Sequence, residues 1–159
     1  MDPRPVDPQP MDPRPVDPRP VDARPAAGPA NPPAATAMTE TTLRAAPQTE
    51  AVEYARRLAT RTMRTWALMD REELVTAIVA ELVANAVRHA GTALELRLLR
   101  DENRVRVEVR DRATQMPRLT VPGPLDESHR GLFIVDRFAT AWGADPVSGG
   151  KVVWAEVAI

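Results

Sequence analysis

Between residues 72 and 90 the chain reads "EELVTAIVAELVANAVRHA", an apolar run broken at Glu81, Asn85, Arg88 and His89. Val75, Val79, Leu82 and Ala86 recur at steps of three and four, the spacing of one buried helix face. A helix is therefore expected from about Arg71 to about Ala90. Asp70 stands where it can cap that helix, Glu73 completes a capping box, and Gly91 ends it. Upstream, "QTEAVEYARRLATRTMRTWAL" sets Val52, Ala55, Leu58, Ala59, Met63 and Trp66 at helical intervals with arginines between them. Glu50 and Glu53 come early in that segment and the arginines later, as the helix dipole favours.

The period then changes to two. Leu94, Leu96 and Leu98 alternate with Glu95 and Arg97, and Val105, Val107 and Val109 alternate with Arg106 and Glu108. Both segments read as half-buried strands, with "DEN" between them as a hairpin turn. "TTLRAAP" is a further short strand, ended by Pro47. Residues 112 to 130 hold three prolines and a glycine and read as a long loop. "GLFIVDRFA" is helical in pattern. "ATAWGAD" and "KVVWAEVAI" supply two closing strands around a turn at Ser148, Gly149 and Gly150. Trp142, Trp154 and Phe133 are expected to anchor the core. Helices on one face of a mixed, mostly antiparallel sheet make an α+β protein, a two-layer α/β sandwich.

Composition divides the chain. Twelve of its 17 prolines precede residue 38, where [M/V]DP[R/Q]P recurs five times from Met1 to Pro25, with Ala23 replacing a proline in the last unit. Proline at this density blocks helix and sheet hydrogen bonding and favours extended polyproline II. Residues 1–38 are read as a disordered tail and 39–159 as one globular domain. The tail is a docking arm or spacer, or else a low-complexity extension with no partner or the product of a start codon upstream of Met38; the last two readings need no partner. The domain carries 17 basic and 17 acidic residues, so nothing in its charge marks a nucleic-acid footprint or a membrane surface. There is no cysteine, which excludes disulfides and thiolate zinc sites. No apolar run approaches a membrane span and no signal peptide is evident, so the cytoplasm is the expected compartment. Lys151 is the single lysine among 21 basic residues, a bias of the kind that a GC-rich genome produces.

The polar residues of the interrupted helix share a face. At 100° per residue Glu81, Asn85 and Arg88 fall within about a 60° arc, away from the apolar face that would meet the sheet. Leu74 and Ile78 extend the same stripe, which suggests the floor of a cleft rather than a solvated surface. A carboxylate serves as general base, an amide oxygen is a hard ligand suited to Mg²⁺, and a guanidinium suits phosphate. His89 is equally well read as a core histidine bonded to the backbone. Together the four side chains fit a magnesium nucleotide.

"ELVANAVRHA" resembles the N box of the GHKL ATPase superfamily, and is most similar to the anti-sigma-factor serine kinases of bacterial partner-switching systems. The likeness continues in order through "VRDRATQMP", "HRGLFIVD" and "AWG…GGKVVW", over roughly residues 43–159. The resemblance implies a Bergerat-type ATP-binding fold, with ATP and Mg²⁺ between the N-box helix and a lid. It gives Asn85 the magnesium, Glu81 the role of base, and Arg88, His89 and Arg130 the phosphate side. It makes Asp111 the acceptor of the adenine amino group, although an aspartate at a turn also commonly caps its own backbone. Ala113 and Pro117 follow it as further nucleotide-binding positions, where the smaller kinase relatives commonly carry a small or hydroxyl residue before a proline in place of the superfamily's glycines. Gly131 and Leu132 open a helix whose N–H groups approach phosphate. The pattern departs at His129, which stands where the family's glycine motif has its first glycine. Residues 118–130 form the expected lid.

The resemblance implies a kinase that phosphorylates a serine on an anti-anti-sigma (STAS-type) partner and sequesters a sigma factor, and it leads one to expect a homodimer. The alternative is a nucleotide-gated regulator that binds its partner without turnover. A detached histidine-kinase catalytic domain is a third reading, for which neither His89 nor His129 sits in a suitable helix. Removing residues 1–37 is expected to leave the melting temperature and nucleotide affinity unchanged, as thermal melts and calorimetry of the two forms would show; a loss of either assigns the tail a further role.

Overall fold

The computed structural model describes residues 39–117 and 130–159; the proline-rich tail, His129 and most of the expected lid lie outside the described residues. The order is β1 (Thr39–Ala45), α1 (Glu50–Thr65), α2 (Glu72–His89), β2 (Leu94–Arg100), β3 (Arg104–Asp111), α3 (Arg130–Phe138), β4 (Ala141–Val147) and β5 (Gly150–Ala158). The strands form one sheet in the order β1-β2-β3-β5-β4. Every neighbouring pair of described strands is antiparallel, in keeping with the mostly antiparallel sheet expected, and none of these pairs is parallel. Hairpin turns join β2 to β3 and β4 to β5, so neither connection needs a parallel crossover.

One face of the sheet carries Leu94, Leu96, Leu98, Val105, Val107, Val109, Val153, Ala155 and Val157, all buried beneath the helices. Helix α2 is the centre of that layer, packing on α1, α3 and the sheet. Helix α1 meets it with Ala51, Ala55, Ala59, Thr62 and Met63. Val52 and Leu58, expected on that face, are only partly buried at its edge. Small alanines at four-residue spacing let the two helix backbones come close.

The expected cap of α2 is not formed. Met69–Arg71 make a turn of 3₁₀ helix, which places Asp70 inside the turning chain rather than ahead of it. Arg71 is the N-cap and makes no side-chain cap bond. Glu72 instead accepts two bonds from the Arg64 guanidinium, at 2.8 and 3.0 Å, tying the start of α2 to the end of α1. Gly91, at φ 58°, follows the end of α2 as expected.

Among the described residues no helix covers the opposite sheet face. Its side chains form a continuous charge lattice, Glu40–Arg97–Glu108–Arg106–Glu156–Arg104–Asp101, across β1, β2, β3 and β5. Bonding to Arg97, with a smaller contribution from Thr42, holds the Glu40 carboxyl below its ordinary range. Trp154 belongs to this face rather than to the core beneath the helices. It is 6% exposed because the Arg106 guanidinium lies 4.0 Å above its ring and Gly143 lies against it. Its indole N–H donates to Asp145 Oδ2 at 2.8 Å. Trp142 does enter the core and donates to Asp136 of α3. Phe133, expected in the core, is 40% exposed, because α3 turns Val135 inward instead. Among the described residues no helix is long and apolar enough to cross a membrane.

Two substitutions test this packing. A Cβ at position 143 would lie 2.8 Å from the Trp154 ring, so Gly143→Ala is expected to destabilise by about 1–3 kcal/mol in denaturant titration. Helix α1 ends in a Schellman motif, with Leu68 N–H bonded to Met63 O, Ala67 N–H bonded to Arg64 O, and Ala67 at φ 56°. An L-residue with a Cβ is strained there. Ala67→Gly is expected to stabilise by about 0.5–1 kcal/mol, read as a higher melting temperature.

Candidate functional site

Burial dictates where polar chemistry can sit on α2. Val75, Ile78, Val79, Ala80, Leu82, Val83 and Ala86 are buried, so the helix is apolar on most of its circumference through its middle turns. Ile78 is fully buried in the core rather than flooring an open cleft, and Leu74 is only partly buried beside it. The stripe of Glu81, Asn85 and Arg88 therefore stands alone, on the last two turns. Glu81 and Asn85 are half-buried and Arg88 is exposed.

Helix α3 closes on this stripe. A Cβ at Gly131 would stand 2.6 Å from Glu81 Oε2 and 3.6 Å from a terminal nitrogen of Arg88. The carboxylate and the guanidinium thus occupy the space that the missing Cβ leaves. Glu81, Arg88 and the start of α3 form one locus, with Arg130 the first residue of that helix and Leu132 half-buried against the core. His89 is exposed at the end of α2, and a buried structural role for it is excluded.

A second cluster lies at the end of β3. Asp111 continues the inward-facing series of Val105, Val107 and Val109 and is 2% exposed. Its Oδ1 accepts the Ala113 N–H at 2.8 Å and a bond from Lys151 Nζ, also at 2.8 Å. Its Oδ2 is buried and has no hydrogen-bond partner among the described residues. Leaving such an acceptor unpaired costs about 1–3 kcal/mol, so it suits a site completed by a donor from outside the chain. The turn-capping role and the ligand role are compatible here, because each uses a different oxygen. Pro117 is half-buried at the end of the described segment. Lys151 went unassigned from sequence beyond its rarity; that rarity was the available signal.

These groups suit a nucleotide. The unpaired Asp111 oxygen can accept an N–H donor such as a base amino group, Arg88 suits phosphate, and the start of α3 presents backbone N–H groups. Among the described residues no cluster of three or more His, Asp or Glu is poised to hold a metal. Mg²⁺ with a nucleotide needs few protein ligands, since phosphate and water complete its octahedron, and Asn85 offers one amide oxygen. A groove of about 780 Å³ at the sheet end includes Arg44, Glu95, Arg110 and Asp111 in its lining. None of Glu81, Asn85 or Arg88 is among its described lining residues.

No curated protein matches the chain. The sequence profile of the family described as "Histidine kinase-like ATPase domain" matches residues 45–157, from the end of β1 to the penultimate residue of β5. That span contains both clusters and every strand but most of β1, and it supports ATP as the nucleotide. The chain belongs to the histidine kinase-like ATPase domain family.

Proposed function

We propose that the protein is an ATP-binding anti-sigma regulatory factor that phosphorylates a serine on an anti-anti-sigma (STAS-type) partner and sequesters a sigma factor. The observation that carries the nucleotide reading is the buried, unpartnered Oδ2 of Asp111, an acceptor suited to the adenine amino group. The resemblance of "ELVANAVRHA" and the motifs after it to the anti-sigma kinases supports the narrower assignment.

In this reading Asn85 holds Mg²⁺, which supplies charge neutralisation for the phosphates. Arg88 pairs with phosphate oxygens and so orients the γ-phosphoryl group. Glu81 orients the serine hydroxyl of the partner and takes its proton as the serine oxygen bonds to the γ-phosphorus. The bond from that phosphorus to the bridging oxygen breaks, and ADP leaves with the electron pair. Positioning and electrostatics supply most of what phosphoryl transfer needs. The absence of a Cβ at Gly131 leaves the room that the Glu81 carboxylate occupies.

The second reading, a nucleotide-gated regulator without turnover, draws on His129 in the glycine motif. The two readings diverge at Glu81.

Calorimetric titration of ATP and ADP, with and without Mg²⁺, is expected to show saturable Mg-dependent binding that Asn85→Ala weakens by about tenfold or more, ~1.4 kcal/mol. No heat and no thermal shift in the wild-type protein would sink the nucleotide reading. Glu81→Ala is expected to lower serine phosphorylation of the cognate partner by roughly 10²–10⁴-fold while partner binding persists. Absence of transfer by the wild-type protein with MgATP bound would leave the regulator without turnover.

A further inference from the structure

The chain uses arginine for every basic residue but one, and that one is buried. Lys151 is the single lysine among 21 basic residues, and it is 4% exposed. Compositional bias explains the arginines; it does not explain the exception. The Lys151 and Asp111 side chains are 5% and 1% exposed, with Nζ 2.8 Å from Oδ1. Residues 111 and 151 are direct cross-strand partners in the β3–β5 register, so the backbone pairing fixes their approach. Lys151 Nζ also reaches the Ala113 carbonyl at 3.4 Å, and the Ala113 N–H bonds the same Oδ1. The three groups therefore form a closed ring about one carboxylate oxygen. The other oxygen is left buried and unpaired among the described residues.

The identity of the cation decides that asymmetry. A guanidinium is a planar fork that takes both oxygens of a carboxylate, whereas an ammonium is a compact point charge that can satisfy one. An arginine at position 151 would therefore compete for Oδ2. A lysine balances the buried charge, locks the carboxylate and leaves Oδ2 unpaired.

We propose that Lys151 is a specificity-determining positioning residue: it occupies Asp111 Oδ1 so that Oδ2 is held as the acceptor for the exocyclic amino group of a 6-aminopurine triphosphate, and 6-oxopurine triphosphates are rejected. The inference rests on the reading of this pocket as an ATP site. A 6-oxopurine presents a carbonyl oxygen where the amino group would be, so two acceptors would face each other with no proton between them. A purine bearing only hydrogen at C6 would leave Oδ2 unpaired. Sites built to bond a ligand N–H discriminate strongly against analogues that lack it, because the buried partner is then unsatisfied.

The test compares ATP, GTP and purine riboside 5′-triphosphate, which lacks the amino group, by calorimetry on the full chain, for the wild type, Lys151→Met and Lys151→Arg. The wild type is expected to bind ATP about tenfold or more tighter than either analogue. Lys151→Met is expected to lose about tenfold or more in ATP affinity while its affinity for the amino-free analogue changes by less than about twofold. Lys151→Arg, which keeps the charge, is expected to lose the preference as well.

Equal weakening of ATP and the amino-free analogue in Lys151→Met would overturn the proposal, since a merely structural role moves both alike. A full preference retained in Lys151→Arg would also overturn it. Should Lys151→Met not fold by circular dichroism, the wild-type ratio of ATP to the amino-free analogue and Lys151→Arg decide, and a ratio near one overturns the proposal. A wild type that binds no purine triphosphate defeats the ATP reading and this inference with it. A wild type that binds ATP without base preference defeats this inference alone.

Discussion

The burial of α2 is the constraint on which the rest of the structure depends. Val75, Ile78, Val79 and Val83 have no exposed surface, and the helix is covered by α1 on one side, by α3 on another and by the sheet beneath. Each apolar side chain so buried contributes about 1.5–3 kcal/mol relative to exposure, and an unpaired charge among them would reverse that gain. Charged side chains on α2 are thus left to its first turn, with Glu72 and Glu73, and to the one stripe where coverage gives out. That stripe bears Glu81, Asn85 and Arg88, and the start of α3 arrives there with a glycine at the point of contact. Core packing and site placement are one arrangement.

The sheet solves a different problem on each face. Toward the helices it is aliphatic until Asp111, where pairing with Lys151 lets a carboxylate sit among buried residues. Toward the other side no covering layer lies among the described residues. There the alternating arginines and glutamates pair across strands into a lattice, and the largest apolar side chain, Trp154, is roofed by Arg106 and floored by Gly143. Individual exposed ion pairs contribute little to stability. Their arrangement here matters more for keeping a wide sheet face polar and registered, since a one-residue slip would carry aliphatic side chains outward and charges into the core.

Much of the architecture was legible in local pattern. The period-two runs of Leu94–Leu98 and Val105–Val109, the helical spacing from Val75 to Ala86, and the glycines at 91, 149 and 150 identify elements that the structure contains close to the expected bounds. The Glu81, Asn85 and Arg88 stripe was legible too, because its angular spacing follows from helix geometry alone. What pattern misjudged were matters of surroundings. Asp70 has the chemistry of a helix cap, but the preceding chain coils into a 3₁₀ turn and removes it from that position. Phe133 and Trp154 have the size and hydrophobicity of core residues, yet α3 buries Val135, and β5 sends Trp154 to the face opposite the helices. Neither choice is local: each depends on which side of an element meets its neighbours.

The sequence by itself determined the periodicities, hence the helices and strands and which residues share a face, because backbone geometry makes those relations properties of spacing. It also carried the ordered motifs by which the family is read. Only the tertiary structure decided which residues from distant segments meet. The approach of Gly131 to Glu81 joins segments 50 residues apart in numbering, and the pairing of Lys151 with Asp111 joins segments 40 apart. No local pattern encodes either contact. Both arise when the antiparallel register and the packing of α3 on α2 place those backbones side by side, and the asymmetry of the Asp111 carboxylate is visible only then.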